Sequence, residues 1–197
     1  MRSRGVTLVE LLVVLTIAAI LVAGAVPSFA WLIATSRTVN AADTMVAAFE
    51  RARSEAVRRS AVVSVCRTLD PNAAESALKC SNAAGLGYAA GDWASGWVMF
   101  EKRGLNAAAT FQNGVDAILQ RHPAAGAGKP RLVVTGNLPG AAVAYDRFGT
   151  AASSAGTFSI DYRDPASATP TSAARCVVVA AVTGRITVKR STAGACG

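Results

Sequence analysis

Few residues in this 197-residue chain have the type and spacing that chemistry requires. Glu10 is the one charged residue in an apolar run from Val6 to Ala34, VTLVELLVVLTIAAILVAGAVPSFAWLIA. An unpaired carboxylate there costs about 2–3 kcal/mol depending on depth, so Glu10 asks for a cationic partner. The four cysteines, Cys66, Cys80, Cys176 and Cys196, have no C-x-x-C spacing, which excludes the usual zinc and dithiol redox arrangements. Structural disulfides are expected. Three connectivities are open, and the local one, Cys66 with Cys80 and Cys176 with Cys196, is preferred because each bond closes a short loop. His122, the single histidine, precedes Pro123 in an expected loop, with no Cys or His at ligand spacing. Gly85-Leu86-Gly87-Tyr88-Ala89-Ala90-Gly91 misses the dinucleotide-binding spacing by one residue and reads as loop glycine. With no G-x-S-x-G elbow and no carboxylate pair at motif spacing, the sequence predicts no enzyme, no metal and no cofactor. Binding chemistry has one candidate, Thr183-Gly184-Arg185-Ile186-Thr187-Val188-Lys189-Arg190. As a hairpin strand it places Arg185, Thr187 and Lys189 on one face, with Arg190 following, and turns Ile186 and Val188 to the core. That row could track phosphates, or protect an exposed sheet edge from aggregation.

The elements that position these residues are legible from periodicity. Residues 6–34 are long enough and apolar enough to span a bilayer as a helix, and Arg2 and Arg4 before them keep the N-terminus cytoplasmic. An ordinary signal peptide cut near Ala23-Gly24-Ala25 is the alternative, but such a peptide has no use for Glu10. Pro27 should bend this helix, since it removes a backbone donor. Over residues 35–60, Val39, Ala42, Val46, Phe49, Ala52 and Ala56 recur at three- and four-residue steps, with Arg51, Glu55, Arg58 and Arg59 off the stripe. A helix from Thr7 to Arg59 would be a rod of about 80 Å. From residue 61 to 197 the texture becomes short valine- and aromatic-rich runs between Gly, Pro and Asn clusters. Strands are expected at 61–67, 96–101, 116–120, 131–135, 142–145, 157–162, 176–182 and 185–189, forming an antiparallel sheet over the helical stripe. Residues 70–92, 126–130 and 164–174 are expected loops. Trp97 and Met99 should face one side of their strand, Val98 and Phe100 the other. The fold class is therefore α+β, a long N-terminal helix against an antiparallel β head. Disulfides place that head across the membrane in an oxidising compartment. The net charge of +8 permits anionic partners without requiring them.

Arg4-Gly5 followed by Val6-Thr7-Leu8-Val9-Glu10 and Leu11-Leu12 resembles the prepilin signature. The resemblance implies cleavage after Gly5, a leader of residues 1–5 whose loss removes Arg2 and Arg4, and N-methylation of Val6, where the family usually has phenylalanine. It also gives Glu10 its cation, the N-terminal ammonium of a neighbouring subunit. At ~4 Å and an effective dielectric near 20 that attraction is about 4 kcal/mol before desolvation is subtracted. Ala52-Arg53-Ser54-Glu55-Ala56 with Arg58, Val63-Ser64-Val65-Cys66 and Trp93-Ala94-Ser95-Gly96-Trp97-Val98-Met99-Phe100 resemble the GspH/FimT family of minor pilins and pseudopilins. That resemblance implies a type IV pilin-like, single-pass protein of the bacterial inner membrane with its head in the periplasm. Its partners would be prepilin peptidase and, through the N-terminal helix, other pilins or pseudopilins in a type IV pilus or a type II secretion pseudopilus. Some members take up DNA through a C-terminal basic motif beginning Gly-Arg. Gly184-Arg185 matches its start, while Thr187 stands where the motif has a second arginine, and DNA is the alternative partner for Arg185, Lys189 and Arg190.

Overall fold

The computed structural model describes residues 7–104, 110–126, 131–138, 140–151, 156–167, 171, 173–191 and 196, with the backbone alone over 23–28. Gly5, Val6 and the side chain of Pro27 lie outside the described residues, while the backbone at Pro27 stays within one unbroken helix. One helix, α1, runs from Leu8 to Arg59. Thr7 caps its start, its hydroxyl accepting from the Glu10 N–H at 3.3 Å. At its end Ser60 adopts a left-handed conformation and its N–H reaches the carbonyls of Ala56 and Val57.

The two halves of α1 differ as the sequence dictates. Every side chain from Thr7 to Val22 is exposed, and so are Phe29, Trp31, Leu32 and Ile33. Among the described residues no helix is long and apolar enough to cross a membrane. In the second half Ala42, Phe49, Ala52 and Ala56 are fully buried, joined by Met45 and Ala48 one turn position away.

Eight strands follow: β1 (Val62–Arg67), β2 (Trp97–Lys102), β3 (Ala117–His122), β4 (Arg131–Asn137), β5 (Ala142–Tyr145), β6 (Gly156–Arg163), β7 (Arg175–Val179) and β8 (Ile186–Arg190). They form two four-stranded antiparallel sheets rather than one, in the orders β3-β2-β1-β5 and β4-β6-β7-β8. The division falls where β4 leaves β3 to pair with β6, from Arg131↔Arg163 to Asn137↔Thr157. Both sheets pack on α1 through one core. At its centre Phe49 of α1, Trp93 of the short 3-10 turn Trp93–Ser95 and Phe158 of β6 meet, with Phe158 5.1 Å from each of the other two rings. Such rings add about 0.5–1.5 kcal/mol per pair beyond the area they bury.

Strand β2 is buried on both faces, and the alternation of its side chains divides them between two clusters. Trp97 and Met99 enter the core under α1, while Val98 and Phe100 join Cys66, Leu78, Phe111 and Ala142 in a second, smaller one. The loop after β1 covers that outer cluster. It is tied to the strand by the Cys66–Cys80 disulfide, and the chain end is tied to β7 by Cys176–Cys196.

Three local expectations change. His122 is the last residue of β3 and not a loop residue; it stands opposite Trp97 and stacks on it, centroids 4.8 Å apart and planes 9° from parallel. The strand expected to reach Val182 ends at Val179, because the turn to β8 opens at Ala180. Val188, expected in the core, is 45% exposed, since β8 is an edge strand and its far half extends past the helix stripe that Ile186 still reaches.

Candidate functional site

Three regions could carry function: the exposed half of α1, the β7–β8 hairpin, and a cleft beside the helix. In the first, Glu10 is exposed in a helix whose flanking Leu8, Val9, Leu11 and Leu12 are 55–79% exposed. Its carboxylate takes part in none of the ion pairs among the described residues. An apolar rod of this kind can satisfy its surface only in lipid or against other helices.

The hairpin presents Arg185 in the turn and Lys189 and Arg190 on β8, all exposed. None of the three enters an ion pair among the described residues. Arg190 stands opposite Arg175 and Lys189 opposite Cys176, so the free edge of the second sheet is basic along its far half. Such an edge is both an anion-binding row and a deterrent to strand pairing.

The cleft, about 290 Å³, lies between α1 and both sheets. Trp93, Trp97 and Leu132 floor it; Arg37, Asn40 and His122 stand at its rim. Arg37 donates to the Tyr162 hydroxyl at 2.5 Å and lies over that ring. Burial depresses the His122 pKa, so near neutral pH its ring stacks on Trp97 uncharged. Among the described residues no group of three or more His, Cys, Asp or Glu could hold a metal.

Sequence reasoning missed a buried polar network that holds one wall of this cleft, through Ala94 and Val134. Arg67, fully buried at the end of β1, donates from Nε to the Asp92 carbonyl at 2.7 Å and from its terminal nitrogens to the carbonyls of Ser81, Ala83 and Ala89. It thereby fixes the loop between β1 and β2. Asp92 accepts from the Ala94 and Val134 N–H groups on one oxygen and from Arg131 on the other. Arg131 lies over the Tyr88 ring, whose hydroxyl donates to the Ala125 carbonyl. Asp92 as the cap of the Trp93 turn was the one signal available, being an acceptor residue just before a short helical turn. A second buried pair, Lys102 with Asp116 at 2.7 Å, secures the β2–β3 connection.

Two family models match the chain. One, described as Type II transport protein GspH, covers residues 41–184, and the other, the prokaryotic N-terminal methylation motif, covers residues 1–26. No curated protein matches. Among solved structures, a crystal structure of the Pseudomonas aeruginosa type IV minor pilin FimU is 19% identical, with a TM-score of 0.50, covering 78% of this chain and 89% of that one. A second crystal form of FimU is also 19% identical, with a TM-score of 0.47 over 76% and 90%. At this identity the first likeness concerns the fold: a long N-terminal helix on antiparallel sheets.

Proposed function

The chain belongs to the GspH family of pilin-like subunits, and from that premise we propose that it is a minor pilin or pseudopilin that initiates or caps a type IV pilus or a type II secretion pseudopilus. In this reading prepilin peptidase cuts after Gly5 and methylates Val6, and residues 6–34 hold the chain in the bacterial inner membrane with the head in the periplasm. Assembly then carries that helix into a bundle with other pilins. The carrying observation is the contrast within α1: one half is buried under two sheets, while the other exposes Leu8, Val9, Leu11 and Leu12 around Glu10. Its role is structural, so no catalytic residue is assigned.

Glu10→Ala tests this reading. It should leave both disulfides formed and the head folded, yet remove the chain from sheared filaments, because the apolar half alone lacks the charge that pairs with a neighbour's new N-terminus. Normal incorporation of the variant would overturn it. Mass spectrometry of the mature chain should find N-methylated Val6 at the amino terminus.

A second reading, DNA capture, draws support from Arg185 in the turn and Lys189 and Arg190 on the free edge, all exposed and in no ion pair among the described residues. Neutralising all three should weaken DNA binding uniformly across sequences, with a salt slope flatter by about 0.9 per lost phosphate contact. Unchanged affinity in a salt titration would remove DNA from this surface.

A further inference from the structure

Three chain segments meet at the pole of the head where α1 ends, far from its exposed apolar half. They are the last turns of α1, the Asp146–Thr150 turn after β5, and the tip of the β7–β8 hairpin. A Cβ at Gly149 would come within 3.1 Å of the Arg53 Nε and 3.3 Å of a Val57 methyl; one at Gly184 would come within 2.7 Å of the Gly149 carbonyl oxygen. Each segment carries an exposed apolar side chain: Val57 at 51%, Phe148 at 72% and Val182 at 68%. These do not sit there by default. Val182 has φ +65°, with the Thr183 N–H donating to the Ala181 carbonyl across it. A β-branched residue in such a turn is strained, and strain of this kind persists where function holds it.

Around the three apolar groups the charge is net positive. Arg53 donates to the Gly149 carbonyl, Arg147 lies over the Phe148 ring, and Arg185 is exposed beside the turn. The Asp146 carboxylate is committed to the N–H groups of Phe148 and Thr150 and the Thr150 hydroxyl, and Glu55 to Arg58 and Arg59. Hydrogen bonds to neutral groups leave Asp146 charged, so among the residues of these segments Arg51, Arg53, Arg147 and Arg185 stand against Glu50 and Asp146, a net positive surface.

We propose that this pole, centred on Phe148 and Val182, is the docking surface for a second, acidic pilin-type subunit, a proposal that rests on the assembly reading above. A further copy of this chain does not fit, because it brings the same arginines and, with Arg2 and Arg4 lost with the leader, still a net charge of +6. Nucleic acid fits less well than protein: it can stack on Phe148, but two exposed valines contribute only against an apolar protein surface. Aromatic and arginine anchors inside a polar rim are also the usual makeup of the centre of a protein interface.

The test uses the full chain in its own cells, with the photo-crosslinking amino acid p-benzoylphenylalanine in place of Phe148 and, as a control, in place of the exposed Leu86. Irradiation should give an adduct at 148, and not at 86, whose second component is another pilin-type subunit with an acidic surface. That adduct should be lost when Arg147→Glu and Arg185→Glu are added, with both disulfides still formed. No adduct, an adduct with a second copy or an adduct with nucleic acid would each overturn the proposal. Filament entry of the labelled chain is scored in the same cells. Entry without an adduct sinks the docking surface alone, whereas failure of the control chain to enter sinks the assembly reading beneath it.

Discussion

Asp92 and Arg131 form an ion pair at 2.9 Å, with both side chains at least 96% buried, across the seam where the first sheet's connecting turn meets the leading strand of the second. Each partner is further satisfied, Asp92 by two backbone N–H groups and Arg131 by the carbonyls of Leu132 and Gly87. The two sheets share no strand, so this contact, with the Asp92↔Thr135 bridge, gives them a common polar joint.

Removing one partner should therefore be costly. Asp92→Ala leaves the Arg131 guanidinium buried without its anion and strips two N–H groups of their acceptor, which predicts a loss of about 3–5 kcal/mol. Denaturant titration of the detergent-solubilised chain checks this. A loss under 1 kcal/mol would mean that the joint does not bind the sheets together.

Arg67 shows why such features escape a reading of the sequence. Arginine is almost never fully buried without a partner, and its partners here are carbonyls of residues 81–92, which no residue type announces. The strands were legible because valine-rich alternation between turn residues is a local signal. Which strand pairs with which is not local: β1 takes β5, 75 residues and more away, as one neighbour, and a sequence of runs is equally consistent with one sheet or two. His122 was misplaced because Pro123 masks the end of β3, and only the register opposite Trp97 explains its burial. Val188 alternates correctly, yet an edge strand that outruns its helix has no core to face.

Arg67→Met tests the loop anchor. It keeps much of the volume but takes from the Ser81 and Ala83 carbonyls the one donor each has among the described residues, while those of Ala89 and Asp92 keep the Asp92 and Ser95 N–H groups, so the loop should loosen more than the core. The expected result is faster hydrogen exchange over residues 81–91 with a smaller change in α1. Uniform acceleration throughout the head would instead make Arg67 a global core residue.

Acid should expose the Lys102–Asp116 pair. Burial pushes the Asp116 carboxyl up, but Lys102 and the N–H groups of Arg103, Gly104 and Gln112 outweigh it and hold the pKa below its usual value. A depressed carboxyl stabilises the fold fully above its unfolded pKa, about 3.9, and the benefit disappears as pH falls through the lower folded value. Asp116→Asn should flatten the loss of stability below pH 4 while lowering stability at pH 7. An unchanged acid limb would show that other carboxylates govern it.

His122 gives the opposite chemistry with the same sign. Burial beside Trp97 disfavours the imidazolium, so the folded pKa lies below the unfolded ~6.5. Stability is then complete above pH 6.5 and falls as pH drops toward the folded value, because the unfolded state takes up the proton first. Tryptophan fluorescence should titrate with a midpoint below 6.5, and His122→Phe, which keeps a ring against Trp97, should abolish that step without loss of stability at pH 7. A midpoint at or above 6.5 would mean that the ring is solvated and the stack does not form.

The Cys176–Cys196 bond closes a 20-residue separation and pins the end of the chain to β7, behind the basic edge formed by β8. In the chain-entropy account a loop of this length contributes about 3 kcal/mol. Cys176→Ala with Cys196→Ala should cost that much in denaturant and should also loosen β8, whose outer side has no strand to pair with. If exchange at Ile186–Arg190 rises while β4 and β6 keep their protection, the disulfide is what holds the basic strand in register. If all four strands loosen together, the second sheet unfolds as one unit, and the bond stabilises the whole of it.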